Sequence, residues 1–220
     1  MPTGLRPGLS FCEASGHLVF LDIEADRYFS LARSAETSFR SLLRGSSGPA
    51  LDRPVDEFLE SGILVDGPDG LPLAPCPRPA PVRAALLDRP LRRAPSLAVA
   101  LALSSFLRAR FHLRLAGFAT VLNSVTRRKL GPRREASDPA VIEAAAAAFH
   151  QCALLVRSHD QCLARSVALA NWLAARGEEA DLVIGVRVRP FAAHAWVQKD
   201  DLLLNESCDG VRGYTPILVA

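Results

Sequence analysis

Charge of one sign is missing from this 220-residue chain: 26 lysines and arginines face 23 acidic residues, a formal charge of +3. That balance excludes an obligate polyanion binder, so no nucleic-acid partner is expected despite a pI near 8.8. Cysteine is sparse, with five residues and no C-x-x-C, so neither a zinc knuckle nor a dithiol redox motif is present. An odd count at this length also argues against a disulfide scaffold and for a reducing cytoplasm. Long apolar runs are absent. The most apolar stretch, SLAVALALSSFL over 96–107, falls short of the ~20 residues that span a bilayer. It reads as a buried helix, with no stable membrane insertion. The opening MPTGLRPGLSFCEASG lacks the apolar core of a signal peptide. No P-loop, G-x-G-x-x-G or H-E-x-x-H occurs, so no cofactor and no metal is predicted. What remains is a globular composition, 49% hydrophobic and 22% charged.

Proline divides the chain. Eight of the sixteen prolines fall within 66–95, and proline both fixes φ and removes an amide donor. This stretch reads as an extended linker between a unit over 1–65 and a larger one over 96–220. The small unit opens with the strand-like runs LSFCEA, HLVFLDI and RYFSL, separated by SG and EAD turns. A helix follows over 34–45 with Ser34 as N-cap, then one over 51–64 with Pro54 in its first turn. The larger unit begins with a helix over 96–117, apolar almost all round. A second runs from Asp138, its N-cap, through an alanine-rich stretch. A third covers about 160–175. The texture then turns β-branched and alternating in DLVIGVRV, AHAWVQ and LLLNES. The fold class is therefore α+β, with helices preceding an antiparallel sheet.

Cys162 stands at the first turn of the third helix, where unpaired amides and the helix dipole favour a thiolate. His194 lies in a strand thirty-two residues on and is the matching general base and acid. His159 is closer in sequence but outside the helix, and reads as a loop or capping residue. Such a base needs an orienting acceptor. The text after His194 reads as a hairpin, and its turn decides which residue that is. A two-residue turn at Asp200-Asp201 brings Asn205 diagonally onto the His194 face. A three-residue turn at 199–201 sets Glu206 directly opposite, one residue of register separating the two. Trp196 reads as a core residue on the face opposite His194. Arg165, one turn along the helix, reads equally as a site residue or as half of a structural ion pair. Cys12, Cys76, Cys152 and Cys208 read as structural.

C-L-A-R-S from Cys162, A-H-A-W-V around His194 and L-N-E at 204–206 resemble the lasso-peptide B proteins, leader peptidases of the transglutaminase-like cysteine protease superfamily. D-R-Y-F-S-L from Asp26, followed by a helix, resembles the PqqD-like recognition element of ribosomal peptide pathways. The resemblance implies a winged-helix-like module joined to a papain- or transglutaminase-like α+β peptidase domain. It implies Cys162 as nucleophile and His194 as general base. The family's third member is an aspartate twelve residues after the histidine. Glu206 occupies that position here, one methylene longer, with Asn205 as the alternative acceptor. The leader would add as a strand along Arg27, Tyr28, Phe29, Ser30 and Leu31, against a helix over 54–60 that includes Glu57 and Phe58. The implied partners are a precursor peptide and the macrolactam synthetase of the same pathway. An acyl-transfer enzyme or a non-catalytic precursor escort would account for the same residues.

Overall fold

The computed structural model describes residues 3–45, 49–129, 137–156 and 161–220, and the chain forms two compact units, Met1–Cys76 and Pro77–Ala220. In the first unit, β2 (Leu9–Ala14), β3 (His17–Asp22) and β4 (Arg27–Ser30) make a three-stranded antiparallel sheet in sequence order. Ala14 pairs with His17, so Ser15 and Gly16 close a two-residue turn, both with positive φ. That is the hairpin geometry whose twist suits the flanking strands. Short strands β1 (Thr3–Leu5) and β5 (Leu64–Asp66) pair separately. Helices α1 (Arg33–Leu43) and α2 (Pro49–Glu60) complete the unit.

Its core is aromatic. Phe39 of α1 meets Phe11, Phe20 and Phe58 edge-on, at centroid spacings of 5.5, 5.2 and 5.4 Å. All four rings are buried. Each such pair adds about 0.5–1.5 kcal/mol beyond its burial, which helps so small a unit hold together. Two local expectations differ. The cap position of α1 is Ala32, without a side-chain bond, and its first turn is tied instead by Glu36, which accepts from Leu18 N and Arg40. Pro54 is the sixth residue of α2 rather than part of its first turn.

The proline-rich stretch is shared out rather than left as a free linker. Leu71 exchanges backbone hydrogen bonds with Leu5, and Cys76 N donates to Phe11 O. Further on, β6 (Ala84–Ala85) joins the sheet of the second unit, and Ala80 O accepts from Gln198 Nε2 at 2.6 Å. A segment without its own repeating hydrogen bonds satisfies its backbone against whatever flanks it.

In the second unit, α3 (Ser96–Lys129) continues well past the expected stop, interrupted at Gly117, whose φ of 78° is not helical. Helix α4 (Pro139–Leu155) is capped as expected, Asp138 accepting from Ala140 N at 2.9 Å. Helix α5 (Cys162–Ala174) packs on α3 and on the sheet. The sheet runs β10-β7-β8-β9-β6, with β7 (Asp181–Val188), β8 (Phe191–Lys199), β9 (Leu202–Leu203) and β10 (Thr215–Val219). All its pairs are antiparallel except β6 with β9. Buried Glu178 accepts from Ser137 Oγ, Asp138 N and Lys199 Nζ, tying the start of α4 to β8. The chain is α+β, and among the described residues no helix is long and apolar enough to cross a membrane.

Candidate active site

Cys162 is the first residue of α5, and His194 stands midway along β8. The cap residue Gln161 makes no side-chain bond to the helix, so the first amides remain open to the cysteine. The sulfur lies beside the His194 side chain and the backbone of Ala195 and Leu163, all of which favour its anion. Burial pushes this thiol up, but those neighbours and the imidazolium charge outweigh it and hold Cys162 below its ordinary range. Two other thiols move the opposite way: burial raises Cys152, and a bond to Asp88 raises Cys208.

Glu206 completes the group. Its Oε2 lies 2.8 Å from His194 Nε2, which leaves Nδ1 of the ring to the thiol. The bonds to Cys162 and then to Glu206 raise His194 to about 9 against the effect of burial. Burial pushes the Glu206 carboxyl up, but the His194 bond, the Ser207 amide and the imidazolium charge bring it below its usual range. The group therefore favours thiolate, imidazolium and carboxylate together, a relay suited to nucleophilic attack on an acyl carbon.

The hairpin reached this arrangement by neither expected route. Gln198 pairs with Leu203 and Lys199 with Leu202, so the turn is the two-residue one at Asp200-Asp201. The ladder ends at Leu203, however, and residues 204–206 form a bend. Past the last ladder pair the alternation of faces no longer applies, and Glu206 swings to the imidazole. Asn205 faces elsewhere: its Oδ1 accepts from Val197 N at 2.7 Å, and its Nδ2 donates to Ser166 Oγ at 2.9 Å. Ser166 in turn donates to Ala195 O at 2.9 Å. Asn205 thus ties the bend to β8 and α5.

Trp196 is buried, as expected, but on the same face as His194, since positions two apart on a strand share a face. The two rings stack at 6.3 Å, and Tyr214 covers the imidazole from another side at 5.4 Å. Arg165 donates to Val156 O and is structural. His159 and Asp160 lie outside the described residues. Of the expected peptide-binding positions, Arg27 and Ser30 are exposed on edge strand β4, Tyr28, Phe29 and Leu31 are half-buried, and Glu57 is exposed beside Arg53. Phe58 is a core residue, 4% exposed and packed edge-on against Phe39. The cavity of about 300 Å³ between α3 and α5, lined by Arg108, Arg128 and Asn171 among others, contains neither Cys162 nor His194.

Two glycines went unread. Gly185 pairs with His194 across the ladder, and a Cβ there would stand 2.7 Å from the Trp196 ring and 3.0 Å from Tyr214 Cβ. Its place inside a strand rich in β-branched residues was the available signal of close approach. A Cβ on Gly210 would lie 2.7 and 2.9 Å from Cδ and Cγ of Glu206, so the bare backbone makes room for the longer acid.

The sequence profile of the transglutaminase-like superfamily matches residues 105–219, just over half of the chain and the whole of this site. The chain belongs to the transglutaminase-like superfamily. Over 48 residues it is 44% identical to the microcin J25-processing protein McjB of Escherichia coli. That match spans 22% of this chain and 23% of McjB, well under two thirds of the relative. No solved structure matches the chain.

Proposed function

We propose that this transglutaminase-like protein is a cysteine endopeptidase that removes the leader from a lasso-peptide precursor. The observation that carries the reading is the Cys162–His194–Glu206 relay, joined to partial identity with a protein named for microcin J25 processing. The Cys162 thiolate attacks the last carbonyl of the leader. The Cys162 amide, at the start of α5, donates to the oxyanion that forms. His194 passes its proton to the departing amine of the core peptide while Glu206 steadies the imidazolium, and water then clears the acyl-enzyme through the same base. The freed amine goes on to the macrolactam synthetase.

The first unit serves as the clamp, a PqqD-like element that takes the leader as an added strand along β4. Arg27 and Ser30 offer polar contacts, Tyr28, Phe29 and Leu31 apolar ones, and Glu57 a charge on α2. Tethering of this kind raises the local concentration of the scissile bond to the order of mM, so the cleft near Cys162 needs little affinity of its own. Intact-mass analysis of a lasso precursor incubated with wild type and with Cys162→Ala tests the reading. Wild type alone should yield separate leader and core masses summing to precursor plus one water, with leader binding retained in the variant. Joined products without added water would indicate acyl transfer instead, and binding without cleavage by wild type an escort.

A further inference from the structure

Arg187 occupies the sheet face that carries the imidazole. In the β7–β8 ladder Gly185 is opposite His194 and Arg187 opposite Ala192, and directly opposed residues share a face. The two positions closest to this guanidinium on that face, Gly185 and Ala192, are small. Its Cζ lies 5.3 Å from the centroid of the Tyr214 ring, and that ring is 5.4 Å from the His194 ring. One aromatic side chain therefore separates the guanidinium from the general base.

Other arginines of the chain have acids: Arg6 with Asp22, Arg40 with Glu36 and Glu13, Arg89 with Glu143. Among the described residues no acid pairs with Arg187, and its Nε is buried without a hydrogen-bond partner. The Tyr214 face offers a cation–π contact but no acceptor oxygen. The terminal nitrogens donate to no described residue, and the side chain as a whole is half-buried. A half-buried, oriented fork that no acid among the described residues pairs is the arrangement that takes a carboxylate in two parallel hydrogen bonds.

We infer that Arg187 is a specificity residue that binds an aspartate or glutamate side chain of the substrate peptide close to the scissile bond. The two ring spacings together limit the reach, and at ~3.3 Å of extended chain per residue they place the acid within about three residues of the cut. The inference rests on the peptidase reading. The carboxylate belongs to either the leader or the core side, and the test separates these.

Each of the three residues on both sides of the cut in the precursor is changed in turn to Glu, Gln and Lys, and kcat/KM is measured with full-length enzyme. With wild type, one position should favour Glu over Gln by about ten- to a hundredfold, as expected of a charge-assisted pair, and that position identifies the side. Arg187→Gln should level the preference at that position alone. Arg187→Glu should reverse it toward Lys, a gain that misfolding cannot produce. Arg187→Lys should retain the sign and lose part of the size, since an ammonium lacks the planar fork. Wild-type cleavage with no Glu preference at any of the six positions, or a preference unmoved in Arg187→Glu, overturns the inference and leaves the peptidase reading standing. No cleavage of any precursor by wild type overturns the reading on which it rests.

Discussion

Glu206→Gln removes the anion from the relay while keeping the shape of the side chain. The bond to His194 measures 2.8 Å, with the two side chains 20% and 27% exposed, so solvent screens it only in part. A hydrogen bond of this kind to a charged group contributes about 1.5–3 kcal/mol. At 1.36 kcal/mol per pKa unit, its loss lowers His194 from about 9 by roughly one to two units. The sign follows from the direction of the shift. A raised histidine is protonated below its folded pKa and loses its charge as pH rises through that value. The alkaline limb of activity should therefore fall near pH 9 in wild type and one to two units lower in Glu206→Gln, with kcat/KM down about ten- to a hundredfold near neutrality. Two assays read it: the pH profile of precursor cleavage, and the pH profile of iodoacetamide alkylation at Cys162. Peptide mapping keeps Cys76 and Cys208, both half-buried, out of the count. Glu206→Asp, one methylene shorter, should retain part of the shift. An alkaline limb still near pH 9 in a folded Glu206→Gln, with cleavage within twofold of wild type, would refute the relay.

Two further substitutions probe what supports the relay. Gly185→Ala drives a methyl into Trp196 and Tyr214, and overpacking of this kind costs about 1–3 kcal/mol. Denaturant unfolding should show that loss, and the His194 ring resonances should shift as both neighbouring rings move. Asn205→Ala leaves the Val197 amide without its acceptor and Ser166 Oγ without a donor, at about 1–3 kcal/mol for a buried unpaired group. Stability and kcat should both fall while the alkaline limb stays near pH 9, because the Glu206 charge is retained. A limb displaced as far as in Glu206→Gln would instead make Asn205 a direct partner of the imidazole.

Much of the site was legible because its signals are local. The cysteine at a helix start, the histidine in an apolar strand and the SG hairpin each depend on a few neighbouring residues, and each stands where the sequence puts it. Glycine commonly ends a helix, so Gly117 looks like a stop in the sequence, but the chain resumes its helix beyond it. The proline-rich stretch was read as a spacer because it cannot form a regular element, and its polar groups found partners in both units. Strand β10 and the short helix α6 (Cys208–Val211) are brief and weakly patterned, so the sequence gives no signal for them.

The α+β class was legible in the sequence alone, as were a cysteine at a helix start and a histidine in a strand, since periodicity, turn chemistry and helix-start composition act over a few residues. The third partner was a matter of tertiary structure. Hairpin register constrains side chains only as far as the ladder runs, and here it stops at Leu203. Beyond it, Asn205 is held by α5 and β8, and Glu206 turns into the space that Gly210 leaves open. Contacts from elements far apart in the chain choose between two adjacent polar residues, and hairpin register alone does not encode that choice.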